Sequence, residues 1–171
     1  MHSKFSSIFP KINSVSIGDD YADLILQNCS LINVYTNEIQ EKIQISIKSD
    51  RIAFVGGDAS HTCGSKTKIL DVKNKYVCPS FVDPHIHIDH FLTPVEFIKK
   101  SLLCGVTSLF PDSIDIVSVG GYKGFREFLR QTENLPMRFF HTIPGGLPVD
   151  RKFSHGKTLT IKEEKQAIGL P

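Results

Sequence analysis

The chain has 171 residues, of which 40% are hydrophobic, and a formal net charge of +2. This length accommodates one domain or two small ones with a hydrophobic core, and the nearly balanced charge argues against nucleic acid or an anionic membrane as a partner. No apolar run approaches the roughly 18–20 residues that span a bilayer. Residues 1–12 also lack the sustained apolar segment of a secretory signal.

The four cysteines, Cys29, Cys63, Cys78 and Cys104, are widely and irregularly spaced. No two of them form a Cys-X-X-Cys pair, so the sequence supports neither a zinc ribbon nor a thiol redox motif. Cys78 and Cys104 lie in apolar runs, which predicts buried free thiols. A reducing cytoplasm is the location that fits this pattern.

The first two segments differ in periodicity. Residues 1–21 show no clear period and are predicted to be a loosely ordered lead-in. Residues 22–75 read as short strands separated by turns, and within them Ile43–Ile47 alternates strictly between apolar and polar side chains. Such alternation is typical of a half-buried strand. We expect an N-terminal antiparallel β unit here.

From Tyr76 onward, strands and helices alternate, which predicts a parallel sheet with helical crossovers in residues 76–171. After the strand that begins at Tyr76, the predicted elements are a helix from Thr93 to about Cys104, a strand over Val106–Phe110, a helix over Tyr122–Thr132, a strand over Met137–Ile143, and a short helix opened by the capping box Thr160–Glu163. The predicted fold class is therefore α/β: the small antiparallel β unit, followed by the first three strands of an incomplete TIM-type (β/α) barrel.

The sequence His85-Ile86-His87 follows an apolar, strand-like run. Alternate residues of a strand point to the same side, so the two imidazoles are expected to face one way at the end of the strand. Asp83 and Asp89 flank the pair. Imidazole and carboxylate ligands together suit zinc, iron or manganese. His85 and His87 are thus predicted metal ligands, whereas His90 is expected to be a loop histidine and His141 is a further candidate for the site.

Several local motifs resemble the adenine deaminase family of the metal-dependent amidohydrolase superfamily. The matching segments, in order, are Ala22–Leu24, Asn33–Ile39, Val77–His87, His87–Asp89, Thr93–Phe97, and Gly105–Ser108 through Asp112–Ile116. The resemblance extends from about Ala22 to Leu170. It implies a metal-dependent hydrolase that converts adenine and water into hypoxanthine and ammonia, with manganese or iron, or alternatively zinc, as its divalent cofactor.

The resemblance also implies roles for individual residues. His85 and His87 would bind the metal, and Asp89 or Asp115 would orient the purine substrate or transfer protons; Asp112 is a further candidate. Several positions depart from the family pattern: Ile114 replaces a histidine, Asp89 and Asp115 replace glutamates, and Gly145-Gly146 replaces a Ser-Cys pair. A hydrocarbon side chain at position 114 can neither ligate a metal nor transfer a proton.

A complete barrel of this class has eight strands and typically about 250 residues. We therefore expect this chain to carry only part of the barrel, and to be weakly active or inactive unless a second copy or a complementing chain completes the site. Two alternatives stay open: a hydantoinase- or dihydroorotase-like enzyme that opens a cyclic amide, and a decayed fragment without catalytic function.

Overall fold

The computed structural model describes residues 5–90, 92–144 and 156–169. The chain divides into two compact units, residues 1–79 and residues 80–171. The long, mostly apolar segment that a membrane-crossing helix requires is not found in any helix of the described part.

Part of the predicted loosely ordered lead-in is helical, contrary to expectation. Phe5–Ile17 forms an α-helix (α1), on which Ile8 and Val15 are buried. The prediction is wrong because Ile8, Ile12 and Val15, spaced by four and three residues, form one apolar stripe of a helix. Tertiary packing of such a stripe stabilises a short helix despite its weak intrinsic propensity. The small core of this unit consists of Val15, Ala22, Ile25 and Ala59.

The sheet of the first unit is mixed rather than antiparallel. Its strands are β1 (Leu24–Asn33), β2 (Glu38–Lys48), β3 (Arg51–Gly56), β4 (Lys68–Asp71) and β5 (Tyr76–Val77), with a 3₁₀ turn at Ser60–Thr62. β1, β2 and β3 pair antiparallel, as predicted. β4 and β5, however, both pair parallel to β1. The prediction missed this pairing because the alternation of a strand reveals its buried face but not the direction of its neighbour.

The second unit contains three parallel strands separated by helices, as predicted. Its elements are β6 (Phe81–Ile86), α2 (Pro94–Leu103), β7 (Val106–Pro111), α3 (Ile114–Thr132), β8 (Arg138–Phe139) and α4 (Ile161–Ile168). The sheet order is β6-β7-β8, and both pairs are parallel. One core of this unit consists of Ile88, Ile98, Leu109, Phe128 and Met137.

Both predicted helix starts are present, and one of them is a complete capping box. The Thr160 hydroxyl accepts a hydrogen bond from the backbone N–H of Glu163, whose carboxylate accepts one from the backbone N–H of Thr160. At α2, Thr93 accepts from Glu96 in the same way and Pro94 is the first helical residue. The Glu96 carboxylate pairs with Lys99 instead of closing the box.

Helix α3 begins earlier than predicted, at Ile114 rather than Tyr122. The helix is interrupted at Gly121, whose φ of 62° and ψ of −154° are not helical. Its second segment is the predicted helix, with Phe125 and Phe128 buried. The third strand, by contrast, is much shorter than the predicted Met137–Ile143.

The cysteines differ from expectation in their burial. All four are free thiols, but Cys78 and Cys104 are exposed, and the buried cysteine is Cys29. Burial raises the pKa of the Cys29 thiol. The prediction of buried thiols is wrong for Cys78, which lies between β5 and β6, and for Cys104, which ends α2.

Candidate metal centre

The predicted histidine pair lies at the carboxyl end of β6. The strand ends at Ile86, and His87 is the first residue after it. Ile86 is opposite Pro111 of the parallel strand β7, and its carbonyl accepts a hydrogen bond of 2.8 Å from the backbone N–H of Asp112. This register places Asp112 beside the two histidines, because the carboxyl ends of parallel strands meet at one edge of a sheet.

His85, His87 and Asp112 form a group with the dimensions of a metal site. One ligand atom from each of the three residues lies within 4.8 Å of the others. The two imidazole rings are 5.1 Å apart between centroids and inclined at 77°. Two histidines and a carboxylate are a usual set of protein ligands for a catalytic divalent metal.

A buried polar atom without a partner supports this interpretation. Oδ1 of Asp112 is buried and makes no hydrogen bond within the described part of the chain. Buried polar groups are normally hydrogen-bonded, and an unpaired one calls for an explanation such as an absent ion or water. The donor set therefore fits a divalent cation.

A second group shares His87 with the first. It consists of His87, His90 and Asp115, again with one ligand atom from each within 4.8 Å of the others. Oδ2 of Asp115 lies 2.6 Å from Nε2 of His90 and 3.5 Å from Nδ1 of His87. The rings of His87 and His90 are stacked, with centroids 5.2 Å apart.

His90 lies in a turn, as predicted for a loop histidine, but it also contacts His87. Had β6 continued beyond His87, His90 would have pointed to the opposite face. The strand instead ends at Ile86 and residues 88–90 form a turn, so the chain bends back and His90 stacks on His87. A turn of this kind has no strong sequence signal here, since Ile88-Asp89-His90 contains neither glycine nor proline.

Asp89 lies nearby but is engaged by the backbone of a helix. Its Oδ2 accepts a hydrogen bond of 2.8 Å from the N–H of Ile116, in the first turn of α3. Its Oδ1 is buried and has no hydrogen-bond partner among the described residues. Asp112 and Asp115 thus each place a carboxylate oxygen within 4.8 Å of histidine ligand atoms, whereas Asp89 accepts a hydrogen bond from the first turn of α3.

His141 lies outside both groups. Its Nε2 is 2.8 Å from the Thr132 hydroxyl, and its ring stacks on Phe139 and meets Phe128 edge-on. Burial lowers the pKa of His141 from 6.5 to about 4, because a charged imidazole is poorly solvated there. His141 is thus a neutral, half-buried side chain packed against aromatic rings.

Comparisons with known proteins relate the chain to adenine deaminases. No protein-family model matches it. It is 53% identical over 161 residues to the adenine deaminase of Cenarchaeum symbiosum (strain A), a match that covers 94% of this chain and 26% of that protein. It is 33% identical over 173 residues to adenine deaminase 3 of Rhizobium meliloti (strain 1021), covering 100% of this chain and 29% of that protein.

Solved structures give weaker matches. A crystal structure of an adenine deaminase matches 70% of this chain and 30% of that one, at 22% identity and a TM-score of 0.47. Molinate hydrolase matches 72% of this chain and 30% of that one, at 15% identity and a TM-score of 0.49. The chain spans less than a third of the length of the two curated relatives. By sequence, the chain is therefore homologous to the adenine deaminase family, of which it matches the N-terminal portion.

Proposed function

We propose that this chain supplies the first metal ligands of a hydrolytic deaminase that converts adenine and water into hypoxanthine and ammonia. The sequence relationship to adenine deaminases supports the substrate and the reaction. The observation that carries the proposal is the group formed by His85, His87 and Asp112 at the carboxyl edge of the β6-β7 sheet. We further propose that the three parallel strands are part of a (β/α) barrel, whose active sites lie at that edge.

The three residues of the group have one role each in this proposal. His85 and His87 would hold a divalent metal, manganese or iron or alternatively zinc, through neutral imidazole nitrogens, and Asp112 would bind it through a carboxylate oxygen. When bound, such a metal supplies a water that is deprotonated near neutral pH. In the overall reaction a bond forms between C6 of adenine and the water oxygen, the bond from C6 to the amino nitrogen breaks, and the nitrogen leaves as ammonia.

The predicted catalytic roles of Asp89 and Asp115 remain proposals. The hydrogen bond from Ile116 occupies one oxygen of Asp89, so that residue has only its second oxygen for a substrate or a proton. The Asp115 carboxylate lies close to the rings of His90 and of the proposed ligand His87. It is therefore near the proposed metal site. A cytoplasmic location, and completion of the site by a second copy or another chain, likewise remain proposals.

We propose that turnover by the 171-residue chain alone is weak. His85 is exposed, and His87 and Asp112 are only half-buried. Charge stabilisation in an enzyme depends on excluding water from the site. A metal held by these three side chains would face solvent, so the electrostatic part of catalysis would be small.

The test measures metal content and adenine turnover with the same preparations. The purified chain is loaded with manganese, iron or zinc, its bound metal is counted by mass spectrometry, and hypoxanthine and ammonia are quantified after incubation with adenine. His85→Ala and His87→Ala should lose both the metal and the turnover. His61→Ala, which removes an imidazole from the first unit, is the matched control and should retain both.

Three outcomes decide the proposal. Adenine turnover that is lost in His85→Ala supports it. Turnover of hydantoin or a dihydropyrimidine but not of adenine would favour the cyclic-amide alternative and overturn the proposed substrate. Metal binding that is equal in the wild type and in His87→Ala would overturn the site itself.

A further inference from the structure

His87 belongs to both side-chain groups, and its two ring nitrogens allow this. Nδ1 lies 3.5 Å from Oδ2 of Asp115. We propose that Asp115 is a positioning residue that holds His87 with a proton on Nδ1, so that Nε2 is left unprotonated for the metal. This inference rests on the proposed function, because it assumes that His85, His87 and Asp112 bind a cation.

His90 lies against the Asp115 carboxylate in this arrangement. Its Nε2 is 2.6 Å from Oδ2 of Asp115, and its ring is stacked within 13° of parallel on the ring of His87. Asp115 also lies in the first turn of α3, where the partial positive charge of the helix N-terminus stabilises a carboxylate. Two independent features, the adjacent His90 ring and the helix N-terminus, therefore hold the Asp115 carboxylate next to Nδ1 of His87.

The chemical consequence concerns the tautomer and basicity of His87. A histidine that binds a metal usually donates its other ring N–H to a carboxylate, a carbonyl or water, which orients the ring and makes the ligating nitrogen more basic. The separation of 3.5 Å between Nδ1 and Oδ2 is longer than a good hydrogen bond. We expect a small ring rotation to close it when Nε2 binds a cation.

Direct ligation of a second cation by His87, His90 and Asp115 fits the distances less well. Two atoms bound to one metal at about 2.1 Å, with tetrahedral angles, lie about 3.4 Å apart. Nε2 of His90 and Oδ2 of Asp115 are only 2.6 Å apart, well short of the separation of two ligands on one metal. The geometry therefore favours the positioning role.

The first experiment measures the affinity and stoichiometry of manganese and cobalt(II) by calorimetry. Asp115→Ala should bind the metal about 10–100-fold more weakly than the wild type, and Asp115→Asn, which keeps an acceptor oxygen, should lose less. Glu133→Gln removes one exposed negative charge from the same unit and is the control for a simple charge effect. His90→Gln should weaken binding without changing the number of bound ions.

The second experiment needs no metal. Nitrogen-15 chemical shifts of the His87 ring, recorded above the usual imidazole pKa, identify which nitrogen carries the proton. We expect the Nδ1–H tautomer to dominate in the wild type and its population to fall in Asp115→Ala. A helix defect alone would not change this tautomer ratio in a protein that remains folded.

The outcomes separate this inference from the proposed function. Failure of the wild type to bind metal contradicts the proposed function, whereas the His87 tautomer still tests the role of Asp115. If the wild type binds metal and His87→Ala does not, equal affinities in Asp115→Ala and Glu133→Gln overturn the positioning role. Two ions per chain, falling to one in His90→Gln, would overturn it as well and assign the second group as a cation site.

Discussion

The backbone N–H of Ile116 donates a hydrogen bond of 2.8 Å to the carboxylate of Asp89, 27 residues earlier in the chain. Ile116 lies in the first turn of α3, where backbone N–H groups have no partner within the helix. Ser113, which occupies the N-cap position, makes no side-chain cap hydrogen bond. The turn after β6 therefore caps α3 in place of the residue that precedes the helix.

This relationship predicts that Asp89→Ala destabilises the protein more than Ser113→Ala does. Loss of a helix cap costs about 1 kcal/mol, within a range of roughly 0.5–2 kcal/mol. Asp89→Asn retains an acceptor oxygen and should cost less. Urea unfolding of the three variants measures the differences, and a larger loss for Ser113→Ala than for Asp89→Ala would contradict the capping role.

The interruption of helix α3 at Gly121 predicts that alanine at position 121 lowers the stability of the protein, whereas alanine at position 120 does not. Gly121 has a φ of 62° and a ψ of −154°, a region that is essentially restricted to glycine. A side chain there costs of order 1–3 kcal/mol, so Gly121→Ala should lower the free energy of unfolding by about that amount. An added Cβ would lie 3.3 Å from Cδ of Lys157, a flexible contact that can move, so the backbone strain should dominate.

Gly120 provides the matched control. A Cβ at this position would meet no atom within 4 Å, and its backbone does not have a positive φ. Gly120→Ala should therefore be neutral or slightly stabilising, because alanine has the higher helix propensity. Thermal unfolding of the two variants side by side measures the contrast, and equal losses would refute the strain argument.

The predictable part of this molecule is the part encoded by local patterns. The strand before His85, the capping residues Thr93 and Thr160, and the parallel order of the second sheet follow from periodicity and helix-start signals. The proximity of the two imidazoles also follows from the spacing of alternate strand residues.

The remaining features depend on tertiary context. The parallel pairing of β4 with β1 joins segments that are distant in the chain, and no alternation pattern specifies it. Asp112 reaches the histidines through the register of Ile86 with Pro111, which the sequence does not display. His90 joins His87 because the strand ends before it, and strand ends are among the least reliable predictions from sequence.

The burial of His141 predicts a pH-dependent contribution to stability. Its pKa is about 4 in the folded protein and 6.5 when it is unperturbed, so the unfolded chain binds a proton more readily. The stabilisation is complete above pH 6.5 and is lost as the pH falls towards 4. A shift of this size corresponds to a loss of order 3 kcal/mol.

His141→Phe isolates this effect. Phenylalanine keeps an aromatic ring next to Phe128 and Phe139, and the Thr132 hydroxyl keeps a hydrogen bond to the carbonyl of Leu129. Unfolding free energies of the wild type and the variant, measured by urea titration across this pH range, should diverge below pH 6.5 with the wild type losing more. Curves that stay parallel would show that His141 titrates alike in the folded and unfolded states.

The unpaired oxygen of Asp112 predicts opposite effects of one substitution on stability and on metal binding. Oδ1 of Asp112 is buried without a hydrogen-bond partner among the described residues, and burial of an uncompensated carboxylate oxygen is unfavourable. Asp112→Asn keeps the shape and removes the charge. Without metal, we therefore expect the variant to be at least as stable as the wild type.

Addition of metal should reverse this order. A ligand that binds only the folded state stabilises it by about 2.7 kcal/mol at a free concentration of about 100 times its Kd. The wild type should gain this stability with manganese or zinc, and Asp112→Asn should gain much less because one ligand is weakened. Thermal unfolding with and without metal measures both effects, with Glu133→Gln as the charge control. If Asp112→Asn gained as much stability from metal as the wild type, Asp112 would not be a ligand, and its unpaired oxygen would need another explanation.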